Sequence, residues 1–125
     1  MKLIFCIDDK GGYLFFGKRQ SRDSALIKWL CDYVGGQKLY ASAYSAPLFN
    51  GFDILSEKKD DGYYFVENED YPKDNVSELV LCHWNRSYPA DRFLDINPQS
   101  LGLSLYKTHE IVGTSHDKIT IEIYR

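Results

Sequence analysis

The chain predicts an α/β domain built on a mixed β-sheet flanked by helices, with an antiparallel C-terminal edge. Three patterns carry that prediction. Leu3 to Ile7 is an unbroken apolar run, the mark of a strand buried on both faces. Between Gln20 and Ala41, residues Leu26, Trp29, Leu30 and Tyr33 fall at i, i+3, i+4 and i+7, one apolar stripe of an α-helix, and a short apolar strand follows. Near the end, Leu101, Leu103 and Leu105 alternate with small or polar residues, as do Ile119, Ile121 and Ile123. Two half-buried strands are expected there, at Leu101–Tyr106 and Lys118–Tyr124, joined by Lys107 to Asp117.

The remaining elements follow in order. Asp8 to Gly12 ends the first strand in a turn, and Tyr13 to Arg19 reads as an aromatic-rich loop. The helix is expected at Ser24–Val34, with Asp23 in its first turn. Ser21 or Asp23 can cap its N-terminus, and Gly35 can end it in the left-handed conformation. Leu39–Ala41 is the second strand and completes a βαβ-like unit. Ser42 to Ala46 can start a helix, and Pro47 interrupts it or opens the next one; Ile54 to Lys59 can be a short helix. Tyr63–Val66 and Leu79–Trp84 are strands by their β-forming residues. Glu67 to Ser77 is an acidic loop with one helical turn, and Asn85 to Pro98 a polar excursion.

The totals bound the function. A length of 125 residues fits one domain, residues 1–125, and 44% hydrophobic content suffices for one core. Lys+Arg 15 against Asp+Glu 18 leaves a charge of -3, so nothing electrostatic points to nucleic acid. No apolar run is long enough to cross a bilayer, which excludes a membrane-spanning helix. The N-terminus meets Asp8 and Asp9 too early for a signal peptide. Cys6, Cys31 and Cys82 are odd in number and widely spaced, which favours a reducing cytoplasm over a disulfide framework.

Four segments share a further likeness. They are Leu79-Val80-Leu81-Cys82-His83, Pro89-Ala90-Asp91-Arg92-Phe93-Leu94-Asp95-Ile96, Leu103-Ser104-Leu105, and Ser115-His116-Asp117-Lys118-Ile119 through Arg125. Together they resemble the last three strands of dihydrofolate reductase. The strand ending at Ile7-Asp8 is similar to that family's first strand, and Asp23 to Ala41 to its first helix and second strand. The resemblance implies a dihydrofolate reductase-like sheet and a pterin-binding acid in the first helical turn. Asp23 matches that acid in its spacing to Leu26, Ile27 and Lys28, with Ile27 beside it. Cys82 stands where the family has a threonine partner of the acid, and a thiol is a weak donor.

The NADPH side of the resemblance departs further. A glycine-arginine-x-threonine stretch is replaced by Ser42-Ala43-Tyr44-Ser45, in which Ser45 alone imitates the threonine. A Gly-Gly pair that meets the pyrophosphate is replaced by Glu67-Asn68, where a carboxylate repels phosphate and side chains block close approach. The chain is shorter than the family between about Ala46 and Gly62, and Phe16 to Ser21 replaces a proline-tryptophan-x-leucine-proline run.

Each candidate also has a plain structural reading. Asp23 can be a helix cap or an acid facing a pocket. Arg19 and Arg22 can hold an anion near the helix start or be solvated charges. Cys82 and His83 are adjacent on a strand and point to opposite faces, so they cannot act as nucleophile and base. Ser115-His116-Asp117 fails as a triad in an extended segment for the same reason. The histidines have no metal-ligand spacing, and neither a Walker loop nor GxGxxG is present. Two functions follow. One is a dihydrofolate reductase-like protein with a degenerate cofactor site and no cofactor, binding a small molecule or a protein partner. The alternative is an NADPH-dependent oxidoreductase acting on a pterin or related heterocycle.

Overall fold

In a computed structural model, which describes residues 1–125, the apolar run Lys2–Ile7 forms β1 at the centre of the main sheet. On one side it pairs in parallel with β5, Tyr63–Phe65, which pairs in parallel with β4, Leu39–Ala41. On the other side β1 pairs in parallel with β6, Glu78–His83. The chain then turns antiparallel: β9, Ile119–Tyr124, runs against β6, and β8, Leu105–Ile111, forms the edge. A small second sheet holds β3, Lys18–Arg19, then β2, Gly12–Phe15, then β7, Arg92–Phe93. No helix is long and apolar enough to cross a membrane.

Alternation along β1 divides the core. Ile4 faces the layer of α1, Ser24–Val34, with Leu26, Leu30, Phe65, Val80, Cys82 and Ile121. Leu3, Phe5 and Ile7 face the other layer, with Tyr64, Leu79, Leu81 and Leu103. The helix starts at Asp23, whose extended backbone (φ -154, ψ 120) and side chain make it the cap. Gly35 closes it at φ 62, its N–H donating to the carbonyl of Cys31. Leu26 and Leu30 are fully buried, and Trp29 packs at the margin, stacked on Tyr33. Leu30→Ala is therefore expected to cost about 2–5 kcal/mol in urea unfolding.

Several expectations are corrected. The strand expected at Leu101–Tyr106 is instead a 3-10 turn, Gln99–Leu101, followed by Gly102 at φ 74. That left-handed residue breaks the alternation, so Leu103 alone of the three leucines is buried, and β8 begins at Leu105 and runs on to Ile111. The stretch Tyr13 to Arg19 is a hairpin, not a loop. Its central residues Phe16 and Gly17 both have positive φ (48 and 75), as a two-residue type I′ turn requires. Ile54 to Lys59 is not helical; Leu55 forms an isolated bridge to Tyr40. No helical turn forms between Glu67 and Ser77. After Ser42 the chain makes only a 3-10 turn, Ala46–Phe49, with Pro47 near its start.

Candidate functional site

The parallel strands β1, β4, β5 and β6 all end on one edge of the sheet, the edge where open α/β sheets collect ligands. Asp8 follows β1, Ser42 follows β4, Glu67 lies just beyond β5 and Trp84 follows β6. The start of β9 lies beside the end of β6, because Thr120 pairs with His83, and this brings the β8–β9 connection to the same edge. The buried polar side chains are Asp8, Asp23, Ser42, Ser45, Glu67, Glu78 and His116. All but Glu78 gather here. Glu78 starts β6 at the opposite edge, where it accepts hydrogen bonds from Tyr33, Tyr63 and Arg125.

Asp23 organises the first of two polar groups. One carboxylate oxygen, Oδ1, accepts from the backbone of Ala25 (3.0 Å), Leu26 (3.4 Å) and Thr114 (2.8 Å). The other, Oδ2, accepts from the backbone of Ser115 (2.8 Å) and from His116 Nδ1 (2.9 Å). Burial pushes the Asp23 pKa up, but the bonds from His116, Thr114 and Ser115 outweigh it and hold it well below the usual carboxylate range. An ionised carboxylate only accepts, so Nδ1 carries the hydrogen, which leaves Nε2 as the nitrogen that can act as an acceptor. Nε2 lies 2.9 Å from the Tyr88 hydroxyl and 3.1 Å from Ser21 Oγ. Trp84 stacks on the ring at 4.5 Å. The connection can approach this closely because residue 113 is glycine: a Cβ there would lie 2.5 Å from Asp23 Oδ2 and 2.7 Å from the His116 carbonyl.

Arg19 and Glu67 form the second group. The guanidinium grips the carboxylate through Nε (2.9 Å to Oε2) and Nη2 (3.0 Å to Oε1), and Ser45 Oγ donates to Oε1 at 2.7 Å. Arg19 lies over the Tyr44 ring at 4.3 Å and also donates to the Tyr44 carbonyl. Burial lowers the Arg19 pKa, but the Glu67 carboxylate more than offsets this and raises it. The group is thus charge-balanced within the chain. Asp8 links the hairpin to the segment after β6. It accepts from the backbone of Gly12 (2.8 Å), Lys10 (3.0 Å) and Tyr88 (3.0 Å), and the last bond fixes the backbone of Tyr88 beside His116.

The four residues singled out from sequence fall in different places. Asp23 is the cap preceding α1 rather than a first-turn residue, and both its oxygens are engaged. Ile27, half-buried on α1, lines a cleft of roughly 360 Å³ with Arg22, Asp23, Ser24, Pro47, Leu48 and Ser115. Ser45 is fully buried against Glu67. Cys82 is fully buried in the layer under α1, beside Cys6 in the strand register. Its hydrogen bond to Cys6 and burial raise the Cys6 pKa well above the thiol range, and burial pushes the Cys31 thiol up to about 11. Neither is a ready thiolate. Tyr88 was not among the sequence candidates; His116 was weighed only with its neighbours Ser115 and Asp117, and Ser21 only as a helix cap.

No protein-family model matches the chain, and no curated protein does. Among solved structures it is similar to dihydrofolate reductase from Enterococcus faecalis complexed with NADP(H) and RAB-propyl. The TM-score is 0.66, and the match covers 99% of this chain and 94% of that one. The fold is dihydrofolate reductase-like. Identity in that match is 11%, so the likeness concerns the path of the backbone and not the side chains of the site.

Proposed function

We propose that this chain is a shortened, divergent relative of dihydrofolate reductase that binds a small anionic ligand with an apolar body, rather than reducing a pterin with NADPH. The observation that carries this reading is that the chain's own side chains occupy both polar anchors implied by the family resemblance. Asp23 already accepts from five donors, and a carboxylate offers about four lone-pair sites, which leaves none for a pterin ring edge. Where the resemblance places the cofactor pyrophosphate, Glu67 holds Arg19 and Ser45. The residues present do not fit NADPH phosphates.

The cleft beside α1 remains open. Ile27, Pro47 and Leu48 supply apolar wall, Ser24 and Ser115 supply hydroxyls, and the exposed Arg22 has no carboxylate partner within the chain. An unpaired guanidinium beside apolar wall suits a small aromatic or branched carboxylate. The test is thermal unfolding with benzoate, 4-aminobenzoate, folate, NADPH and NADP. A carboxylate that binds should stabilise the fold by mass action, by about 2.7 kcal/mol at a hundred times its Kd, and so raise the midpoint. Arg22→Ala should abolish that rise. NADPH should leave the midpoint unchanged, and no dihydrofolate should be reduced.

A second reading, an NADPH-dependent oxidoreductase on a pterin or related heterocycle, is favoured by the backbone likeness to a reductase complexed with NADP(H). It requires Glu67 to give up Arg19 to a phosphate. A midpoint raised by NADPH, together with turnover of dihydrofolate, would establish it in place of the first reading.

A further inference from the structure

We propose that Ser21 is a nucleophile activated by His116, with Asp23 as its positioning residue, and that this edge of the sheet hydrolyses small carboxylic esters. The three side chains form a continuous relay. Asp23 Oδ2 holds His116 Nδ1 at 2.9 Å, and His116 Nε2 faces Ser21 Oγ at 3.1 Å. A base within hydrogen-bond reach of a hydroxyl, itself oriented by a third group, is the arrangement that activates serine. The ring is held by Asp23 at one nitrogen, by Tyr88 at the other and by Trp84 on its face.

Exposure is graded to match. The side chains of His116 and Asp23 are 1% and 0% exposed, so the base and its orienting group are shielded from water, whereas Ser21 is half-buried, next in sequence to Arg22 of the cleft lining. The backbone N–H groups of Ser21 and Arg22 donate to no acceptor in the chain. They belong to the nucleophile and the residue after it, positions from which backbone donors can meet a developing oxyanion. Tyr88 shares Nε2 in the free protein. Its hydroxyl lies 3.5 Å from Ser21 Oγ, so turning its hydrogen toward the serine oxygen leaves Nε2 free for the serine proton.

The chemistry balances with water as the co-reactant. Ser21 Oγ bonds to the ester carbonyl carbon as its proton passes to His116 Nε2. The carbon–oxygen bond to the alcohol breaks, and the alcohol leaves with that proton. Water then attacks the acyl-serine, giving one proton to Nε2, which returns it to Ser21 Oγ as the carboxylic acid departs. No metal enters any of these steps.

The experiment treats the full chain with a fluorophosphonate probe and maps the adduct by mass, alongside hydrolysis of p-nitrophenyl acetate. One adduct at Ser21 is expected. Ser21→Ala should abolish it and reduce hydrolysis at least tenfold while leaving the circular dichroism spectrum unchanged. His116→Gln should slow labelling by a similar factor. If that variant does not fold, Tyr88→Phe, which removes the competitor for Nε2, should still be labelled at Ser21. Asp23→Asn should lower kcat for the ester without raising KM, the mark of a misoriented base and not of a damaged binding surface. An adduct elsewhere, no adduct, or wild-type hydrolysis by Ser21→Ala would each overturn the proposal. The label reports on Ser21 whatever the cleft binds, so its failure and the failure of the ligand reading are distinguishable.

Discussion

Asp23→Ala is expected to destabilise the protein by about 3–5 kcal/mol, a large share of the roughly 5–15 kcal/mol that holds a domain together. The side chain is fully buried and meets donors from two distant parts of the chain. Alanine would leave the first N–H groups of α1 uncapped. It would also strand the backbone donors of Thr114 and Ser115 and the ring N–H of His116 against the core. Urea unfolding monitored by tryptophan fluorescence would measure the loss, with Trp84 on His116 as a local reporter. The same carboxylate sets a pH dependence. Its folded pKa lies well below the ordinary value of 3.8, so the unfolded chain binds more protons in acid. Its stabilisation is therefore complete above about pH 4 and is lost as pH falls through that value toward the folded pKa. Asp8 is also depressed, by its bonds from Tyr88, Gly12 and Lys10 against the effect of burial, and acts with the same sign. Asp23→Ala should flatten the acid limb of the stability curve; an unchanged limb would mean that other carboxylates control it.

What the sequence made legible was whatever depends on neighbours along the chain. The stripe Leu26, Trp29, Leu30 and Tyr33 fixed the helix and its buried face, and Leu3 to Ile7 the central strand. Alternation served less well near the C-terminus. Leu101 and Leu103 carry the pattern of a strand, yet Gly102 adopts a conformation that ends any ladder, and only the edge strand beyond it pairs with β9. The hairpin at Tyr13 to Arg19 was hidden because Phe16, rather than Asn or Gly, takes the first positive φ of its turn. The relay was out of reach for a different reason. Ser115 and Asp117 flank His116 and drew attention to a triad that geometry forbids, while the groups it meets, Asp23 and Ser21, lie 93 and 95 residues away. Glu67 read as a charge that repels phosphate; that it already holds Arg19, 48 residues away, is a fact of topology.

That ion pair gives the second large expected effect. Glu67→Ala should cost about 3–5 kcal/mol, because it leaves the Arg19 guanidinium, whose side chain is only 20% exposed, without its carboxylate, and Ser45 without its acceptor. Glu67→Gln should cost less: an amide oxygen can still accept from Ser45, but the charge that balances Arg19 is gone. The variant also tests what the carboxylate does. If Glu67 fills a cradle shaped for an anion, removing it opens one, formed by Arg19 and Ser45. Inorganic phosphate should then restore stability to Glu67→Ala by mass action, while sodium chloride at matched ionic strength should not. The wild type, with the cradle filled from within, should show no such difference between the two salts. NADP would extend the test. A midpoint raised by NADP in Glu67→Ala but not in the wild type would identify this one side chain as what keeps a dinucleotide out of the fold. Equal responses of variant and wild type to phosphate would mean that Glu67 is a structural partner of Arg19 and nothing more.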